Sequence, residues 1–99
     1  MAERKIKWTL RAIKDKLGIY QYWLNKNKSI EYPEKLERLF NEAMKLTAIY
    51  PDAGIQTEIK NVRLRIVKEY KLFYRTSDDF IEILSVWDSR RDPEKLKIK

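Results

Sequence analysis

The chain has 99 residues, a formal net charge of +7 at pH 7, and neither cysteine nor histidine. The missing cysteines exclude disulfides, thiolate nucleophiles and thiolate-bound zinc, and the missing histidines exclude the commonest general base and metal ligand. A catalytic site would have to use tyrosine, lysine, arginine and carboxylates, so we expect neither a metal nor a cofactor. The positive charge favours an acidic or phosphate-rich partner.

The length is sufficient to bury one hydrophobic core, so we expect a single domain over residues 1–99. No apolar stretch approaches the roughly 20 residues that span a membrane. The basic amino terminus is not followed by the apolar segment of a signal peptide. We therefore expect a cytoplasmic protein with no membrane partner.

The amino-terminal half predicts one strand and two helices. Residues 5–10 alternate between apolar and polar, as in a half-buried strand. The period then changes to that of a helix, for which Thr9 is the predicted N-cap, and a second helix follows with Ser29 as N-cap and Pro33 in its first turn. The predicted apolar stripes are Ile13, Leu17, Tyr20 and Leu24 on the first helix and Leu36, Leu39, Phe40, Ala43, Leu46 and Tyr50 on the second.

The carboxyl half predicts three strands by its period-two alternation. They cover Val62–Val67, Tyr70–Arg75 and Ile81–Val86. Their links, 68–69 and 76–79, are too short for a crossover, so the strands should form an antiparallel meander. The apolar stripes of the helices need a partner of sufficient area. The predicted fold class is α+β, with the order β-α-α-β-β-β and a helical hairpin packed on one face of a small, mainly antiparallel sheet.

Positive charge is concentrated in the central hairpin. Six basic residues and a single acid, Glu69, lie between positions 60 and 75. Alternation places Arg63 and Arg65 on one face of their strand and Lys71 and Arg75 on one face of the next, and a tight hairpin could bring the two pairs side by side in solvent. Such a cluster indicates either an anionic partner or an unusually well-solvated surface.

Three further groups of residues allow two interpretations each. Phe73 has the same phase as Lys71 and Arg75 and is a candidate for stacking on a nucleic acid base, although packing is the commoner role of an aromatic residue. Arg90 and Arg91 would reach the same surface if the polar tail folds back, or would pair with neighbouring aspartates. The amino-terminal cations could form a site but are predicted to form a solvated helix face; they are Arg4, Lys5, Lys7, Arg11, Lys14 and Lys16.

Two segments carry a resemblance to a known family. Residues 62–75 (VRLRIVKEYKLFYR) and 80–93 (FIEILSVWDSRRDP) resemble the carboxyl half of the RelE/ParE superfamily of bacterial type II toxins, and the upstream strand and two helices are similar as well. The resemblance implies a cognate antitoxin that covers the toxin's active surface. It also implies one of two targets: the ribosome, where RelE-like members cleave mRNA, or DNA gyrase, which ParE-like members poison without cleaving nucleic acid.

Site residues follow from the same resemblance. Lys71 occupies the place of a strand arginine of the RelE-like nucleases, and Arg90 lies near that of a catalytic arginine. The predicted catalytic residues are Arg65, Lys71 and Arg90, and the predicted nucleic-acid-binding residues are Lys60, Arg63, Lys68, Phe73, Arg75 and Arg91.

One departure from the nuclease pattern lies in the tail. Residues 92–96 read DPEKL, without the tyrosine of the RelE-like nucleases. The leading hypothesis is a metal-independent endoribonuclease that inhibits translation by cleaving mRNA at the ribosome. The alternatives are a non-enzymatic gyrase poison and a family member that only binds its antitoxin.

Overall fold

The computed structural model describes residues 3–90. Within this range the chain forms β1 (Lys5–Trp8), α1 (Leu10–Asn27), α2 (Glu31–Ile49), β2 (Ile55–Gln56), β3 (Val62–Val67), β4 (Tyr70–Thr76) and β5 (Phe80–Asp88). The predicted order of strand, two helices and three strands is confirmed. The sequence did not predict β2, a two-residue strand that follows the 3₁₀ turn at Pro51–Ala53. Arg91, one of the predicted site residues, lies outside the described residues.

The strands of residues 3–90 form one sheet in the order β1-β5-β4-β3-β2. The β3–β4 and β4–β5 pairs are antiparallel, as the short links require, and β2 also pairs with β3 in antiparallel orientation. Only β1 runs parallel to its neighbour, β5, and the two helices and the strands β2 to β4 lie between them in the chain. The mainly antiparallel sheet is therefore confirmed.

Polar side chains mark the starts of both helices. The hydroxyl oxygen of Thr9 accepts a hydrogen bond from Ala12 N, so the predicted N-cap of α1 is confirmed. Ser29 lies one residue before the observed cap of α2, which is Ile30, although its hydroxyl still accepts a hydrogen bond from Glu31 N. Neither helix within residues 3–90 is both long enough and apolar enough to cross a membrane.

The helical hairpin packs on one face of the sheet, as predicted. Five buried apolar residues of the hairpin, Ala12, Leu36, Phe40, Met44 and Ala48, form the core with Tyr70, Leu72, Tyr74, Ile81, Ile83 and Val86 of the sheet. The predicted helix stripes are partly wrong, because Ala12 of α1 and Met44 and Ala48 of α2 are buried although they lie outside those stripes. Four of the predicted core residues are exposed: Leu17, Leu24, Leu46 and Tyr50.

Candidate binding surface on the sheet

The register of β3 and β4 determines the face on which each cation lies. Arg63 is directly opposite Tyr74, and Arg65 is directly opposite Leu72. Directly opposite residues share a face of the sheet. Tyr74 and Leu72 belong to the core beneath the helices, so both arginines start on the helix side of the sheet.

Lys71 and Arg75 lie on the other face, because they alternate with these core residues along β4. The prediction that all four cations project together from one face is therefore wrong. The two-residue turn at 68–69 pairs Val67 with Tyr70. In this register the odd-numbered residues of β3 and the even-numbered residues of β4 lie on the same face of the sheet. We call the face away from the helices the outer face.

Arg63 is part of the folded scaffold. Its Nη1 donates hydrogen bonds to the carbonyl oxygens of Asp52 and Gly54 at 3.2 and 2.9 Å, and its Nε lies 3.9 Å from a carboxylate oxygen of Asp52. Beside it, the hydroxyl of Tyr74 accepts a hydrogen bond from Gly54 N at 3.1 Å and donates one to the carbonyl oxygen of Pro51 at 2.7 Å. Arg63 and Tyr74 together hold the turn at residues 51–54; we call this arrangement the turn clamp.

Arg65 differs from Arg63 although only one residue separates them. It is half-buried and forms no ion pair with a described residue. Its positive charge affects the pKa of Tyr74. Burial raises that pKa, and the hydrogen bond from the Gly54 amide and the positive charges of Arg65 and Arg63 oppose the rise. Arg65 is therefore available to a partner at the helix-side margin of β3.

The outer face carries a smaller cluster of cations than the sequence predicted. Arg75 lies opposite Glu82 on β5, with 3.9 Å between its Nη1 and a carboxylate oxygen. Lys71 lies opposite the half-buried Trp87 and forms no ion pair with a described residue. Phe73 also faces outward but is only 6% exposed, so the prediction that its ring is free to stack on a base is wrong.

Sequence reasoning missed two cations of this face. Lys5 and Lys7 alternate with Ile6 and Trp8, which pack against the core, so the lysine side chains point outward. The parallel register places Lys7 beside Glu82, and the Lys7 ammonium lies 6.0 Å from the centre of the Phe80 ring. The alternation within β1 was a usable signal, but the sequence did not show which strand β1 joins. We define the outer basic face as Lys5, Lys7, Lys71 and Arg75.

Arg90 lies apart from both Arg65 and Lys71. Its guanidinium donates two hydrogen bonds to the Asp88 carboxylate, at 3.0 and 2.8 Å, and lies 5.9 Å from the Trp23 ring of α1. The hydrogen bonds with Asp88 raise the pKa of Arg90, so this group acts as a fixed charge and not as a proton donor. The three predicted catalytic residues do not converge, since Arg65 and Lys71 are on opposite faces and Arg90 is held against α1.

The remaining predicted contacts are dispersed. Lys60 lines a pocket of about 410 Å³ beside the loop between β2 and β3, near Arg63. Lys68 occupies the left-handed position of the β3–β4 turn, with φ of 56°, and is exposed. Arg91 lies outside the described residues. The structure thus places Lys71 and Arg75 on the same face of the sheet as Lys5 and Lys7, and places Arg63 on the opposite face.

A family model described as "ParE toxin of type II toxin-antitoxin system, parDE" matches residues 6–93. The chain belongs to the ParE toxin family. It is therefore a type II toxin of the RelE/ParE superfamily, and the resemblance read from the sequence is confirmed. A search of curated proteins found no match.

Solved structures of low identity agree with the ParE fold. One is a chain of the chromosomal ParDE system from P. aeruginosa, with a TM-score of 0.73 and 23% identity over 85% of this chain and 94% of that chain. Another is the YoeB dimer from Staphylococcus aureus, with a TM-score of 0.54 and 22% identity over 85% of this chain and 94% of that chain. At these identities the likeness shows the fold alone.

Proposed function

We propose that this ParE-family toxin is a non-enzymatic poison of DNA gyrase, and that its outer basic face contacts gyrase or the DNA that gyrase holds. The match of the ParE family model to residues 6–93 is the observation that carries the proposal. The face presents four cations, and Glu82 is the acid that lies among them. A surface of this kind attracts an acidic protein surface or a phosphate backbone over long range.

The dispersal of the predicted catalytic residues supports a binding role over a nuclease role. Cleavage of RNA through a ribose 2′-hydroxyl requires a proton acceptor, a proton donor and charge stabilisation at one phosphate. Within residues 3–90, Arg65 and Lys71 are separated by the sheet, and Arg90 is bonded to Asp88. Binding to a large target requires no such convergence.

Cleavage of mRNA at the ribosome remains the second candidate. It is favoured by one observation: Lys71, which forms no ion pair with a described residue, lies on the same face as Arg75, and two cations on one face can each contact a phosphate of an RNA backbone. Both targets are in the cytoplasm, where we propose that the toxin acts. We also propose that a cognate antitoxin is its partner in the resting state.

A parallel assay on the two targets tests the proposal. The purified toxin is incubated with gyrase and supercoiled DNA, and separately with translating ribosomes. We expect trapped double-strand breaks in the first reaction and intact message in the second. Cut message with no trapped breaks would contradict the proposal and select the nuclease.

A pair of double variants tests the surface. Lys7→Gln with Lys71→Gln removes two charges from the outer basic face, and Lys35→Gln with Lys45→Gln removes the same charge from exposed positions on α2. We expect the first pair to lower gyrase trapping at least about tenfold, equivalent to about 1.4 kcal/mol of binding, and the second to have little effect. Equal losses would show that only net charge matters.

A further inference from the structure

Strand β1 is shorter than its neighbour β5. Their parallel register ends where Trp8 pairs with Ile83, whereas β5 continues to Asp88. Within residues 3–90, no strand lies beside residues 84–88 on this side of β5. The start of α1 lies there instead, and its polar side chains bond to the backbone of β5.

Two side chains of this part of the chain make those bonds. The hydroxyl of Thr9 donates to the carbonyl oxygens of Ile83 and Leu84, at 2.8 and 3.2 Å. A carboxylate oxygen of Asp15 accepts a hydrogen bond from Val86 N at 3.0 Å. The Asp15 side chain is 30% exposed, so water competes only in part for this amide. The two contacts hold β5 at Ile83–Leu84 and again at Val86.

A β-bulge lies between these two contacts. Phe73 and Tyr74 are consecutive on β4, but their partners on β5 are Ser85 and Ile83. Leu84 therefore has no partner on β4 and is the extra residue of the bulge. An extra residue reverses the alternation of inward and outward side chains in the part of the strand that follows it.

The bulge determines which side chain of β5 reaches the outer face. Ile81 and Ile83 belong to the core. Unbroken alternation from them would also place Trp87 in the core and would turn Val86 outward. With the bulge, Val86 is buried in the core, and Trp87 lies opposite Lys71 on the outer face. Bulges commonly redirect a side chain in this way beside a functional site.

Trp87 is half-buried and has cations on two sides. Lys71 lies opposite it on the outer face, and Arg11 and Lys14 line the same pocket of about 220 Å³ between β5 and α1. The pocket also contains two acids, which are already bonded to a backbone amide and to an arginine: Asp15 and Asp88. An apolar ring flanked by cations suits a protein surface that offers apolar side chains beside carboxylates.

We propose that Trp87 is the apolar anchor of the outer basic face on an acidic surface of the gyrase protein, and that Asp15 is the positioning residue that presents it. Tryptophan is among the residues that most often dominate the binding energy of a protein interface. Affinity for duplex DNA comes mainly from cations on phosphates, to which an indole ring adds no charge. The inference rests on the gyrase target proposed above and adds two residues to it.

Replacement of the ring tests the anchor. We expect Trp87→Ala to lower gyrase trapping at least about tenfold and to leave binding of the toxin to duplex DNA alone unchanged. Tyr22→Ala is the control, because Tyr22 is an aromatic residue of α1 that is 49% exposed, and it should trap gyrase as the wild type does. Circular dichroism confirms that each variant is folded. An equal loss of binding to duplex DNA alone would assign the ring to DNA and overturn the inference.

Two variants of Asp15 test the positioning role. Asp15→Asn and Asp15→Ala change the net charge equally and both remove the carboxylate that lies 4.0 Å from Arg11, but only asparagine keeps an oxygen that can accept from Val86 N. We expect Asp15→Asn to trap gyrase almost as well as the wild type and Asp15→Ala to trap it at least about fivefold more weakly. Equal activity of the two variants would contradict the positioning role.

NMR of the free toxin measures the position of the ring without gyrase. Directly opposite side chains are close enough for a nuclear Overhauser effect, so we expect one between the Trp87 indole and the Lys71 side chain in the wild type and in Asp15→Asn. It should be lost in Asp15→Ala. Arg63→Met is the control for a loss of stability alone, since Arg63 is distant in sequence from the bulge and bonds to Asp52 and Gly54, and it should keep the effect.

The outcomes separate this inference from the proposed function. If the wild-type toxin traps gyrase and Trp87→Ala traps it equally well, the gyrase target stands and the inference is overturned. If the wild-type toxin traps no gyrase, the proposed function fails and the anchor fails with it. An unchanged Trp87–Lys71 contact in Asp15→Ala would show that Asp15 does not position the ring, whatever the result with gyrase.

Discussion

The two faces of the β3–β4 hairpin use basic side chains in different ways. On the helix side, Arg63 donates to two backbone carbonyl groups and forms the turn clamp with Tyr74. On the outer face, Lys71 projects from the neighbouring strand and forms no ion pair with a described residue. A basic residue is available to a partner only where the fold leaves its charge without a partner of its own. The predictions below test this division, from the largest expected effect to the smallest.

The close approach at Gly54 is the most sensitive point of the turn clamp. A Cβ added to Gly54 would overlap the hydroxyl oxygen of Tyr74 and lie 2.8 Å from two carbons of its ring, and Tyr74 is fully buried and cannot move aside. Gly54→Ala should therefore cost about 3 kcal/mol of unfolding free energy, measured by urea denaturation. Gly18→Ala is the control: nothing lies within 4 Å of its added Cβ, and alanine favours the helix. A stable Gly54→Ala protein would show that the clamp is loose.

Tyr74→Phe tests the hydrogen bonds of the clamp without a clash. The change leaves Gly54 N and the carbonyl oxygen of Pro51 without their partner. Each unsatisfied group of this kind costs about 1–3 kcal/mol when buried, and partial access to water reduces the total. We expect a loss of about 2 kcal/mol in the same assay. An unchanged midpoint would mean that water replaces the hydroxyl freely.

Arg63 and Arg65 form a matched pair on one strand. Arg63→Met removes two hydrogen bonds to backbone carbonyl groups and should cost about 1–2 kcal/mol. Arg65→Met removes a charge that has no ion-pair partner among the described residues and should change stability by less than about 0.5 kcal/mol. Parallel denaturation curves measure both. Equal losses of stability in the two variants would show that Arg63 is no more structural than Arg65.

A carboxylate between α1 and α2, that of Glu37, is also held by hydrogen bonds within the fold. Burial alone would raise the pKa of Glu37, but hydrogen bonds from Tyr20 and Lys16 outweigh it and lower that pKa below its ordinary value of 4.5. A lowered pKa in the folded state stabilises the fold above the unfolded pKa, and this stability is lost as the pH falls.

The Glu37 side chain is 45% exposed, so we expect its contribution to be only about 0.5 kcal/mol. Tyr20→Phe should reduce the loss of stability between neutral pH and pH values below 4.5, as followed by urea denaturation at a series of pH values. An identical pH dependence in the variant would show that the hydrogen bond from Tyr20 does not hold the Glu37 pKa down.

Much of this fold could be predicted from local patterns in the sequence. The hydroxyl of Thr9, the alternation in β3 to β5 and the short links defined the elements and the antiparallel meander. The rotation of the helices could not be predicted, because it depends on which side of each helix the sheet contacts, and so Leu17 and Leu46 are exposed. With two residues, β2 is too short to show any period.

The error in the candidate site could have been avoided. A two-residue turn at 68–69 pairs Val67 with Tyr70, and counting back along both strands places Arg63 and Arg65 opposite core residues. The alternation of each strand was correct, but the faces of the two strands were not related to each other through the turn. The membership of Lys5 and Lys7 in the outer basic face depended on the parallel pairing of β1 with β5, which local patterns do not reveal.

The most direct test of the division compares gyrase trapping by Arg63→Met and Lys71→Met, each expressed per folded molecule. We predict that Lys71→Met is fully folded and traps gyrase at least about tenfold more weakly, whereas Arg63→Met is less stable but fully active in the molecules that remain folded. A fully active Lys71→Met protein beside a folded but inactive Arg63→Met protein would contradict the account and place the functional surface on the helix side of the sheet.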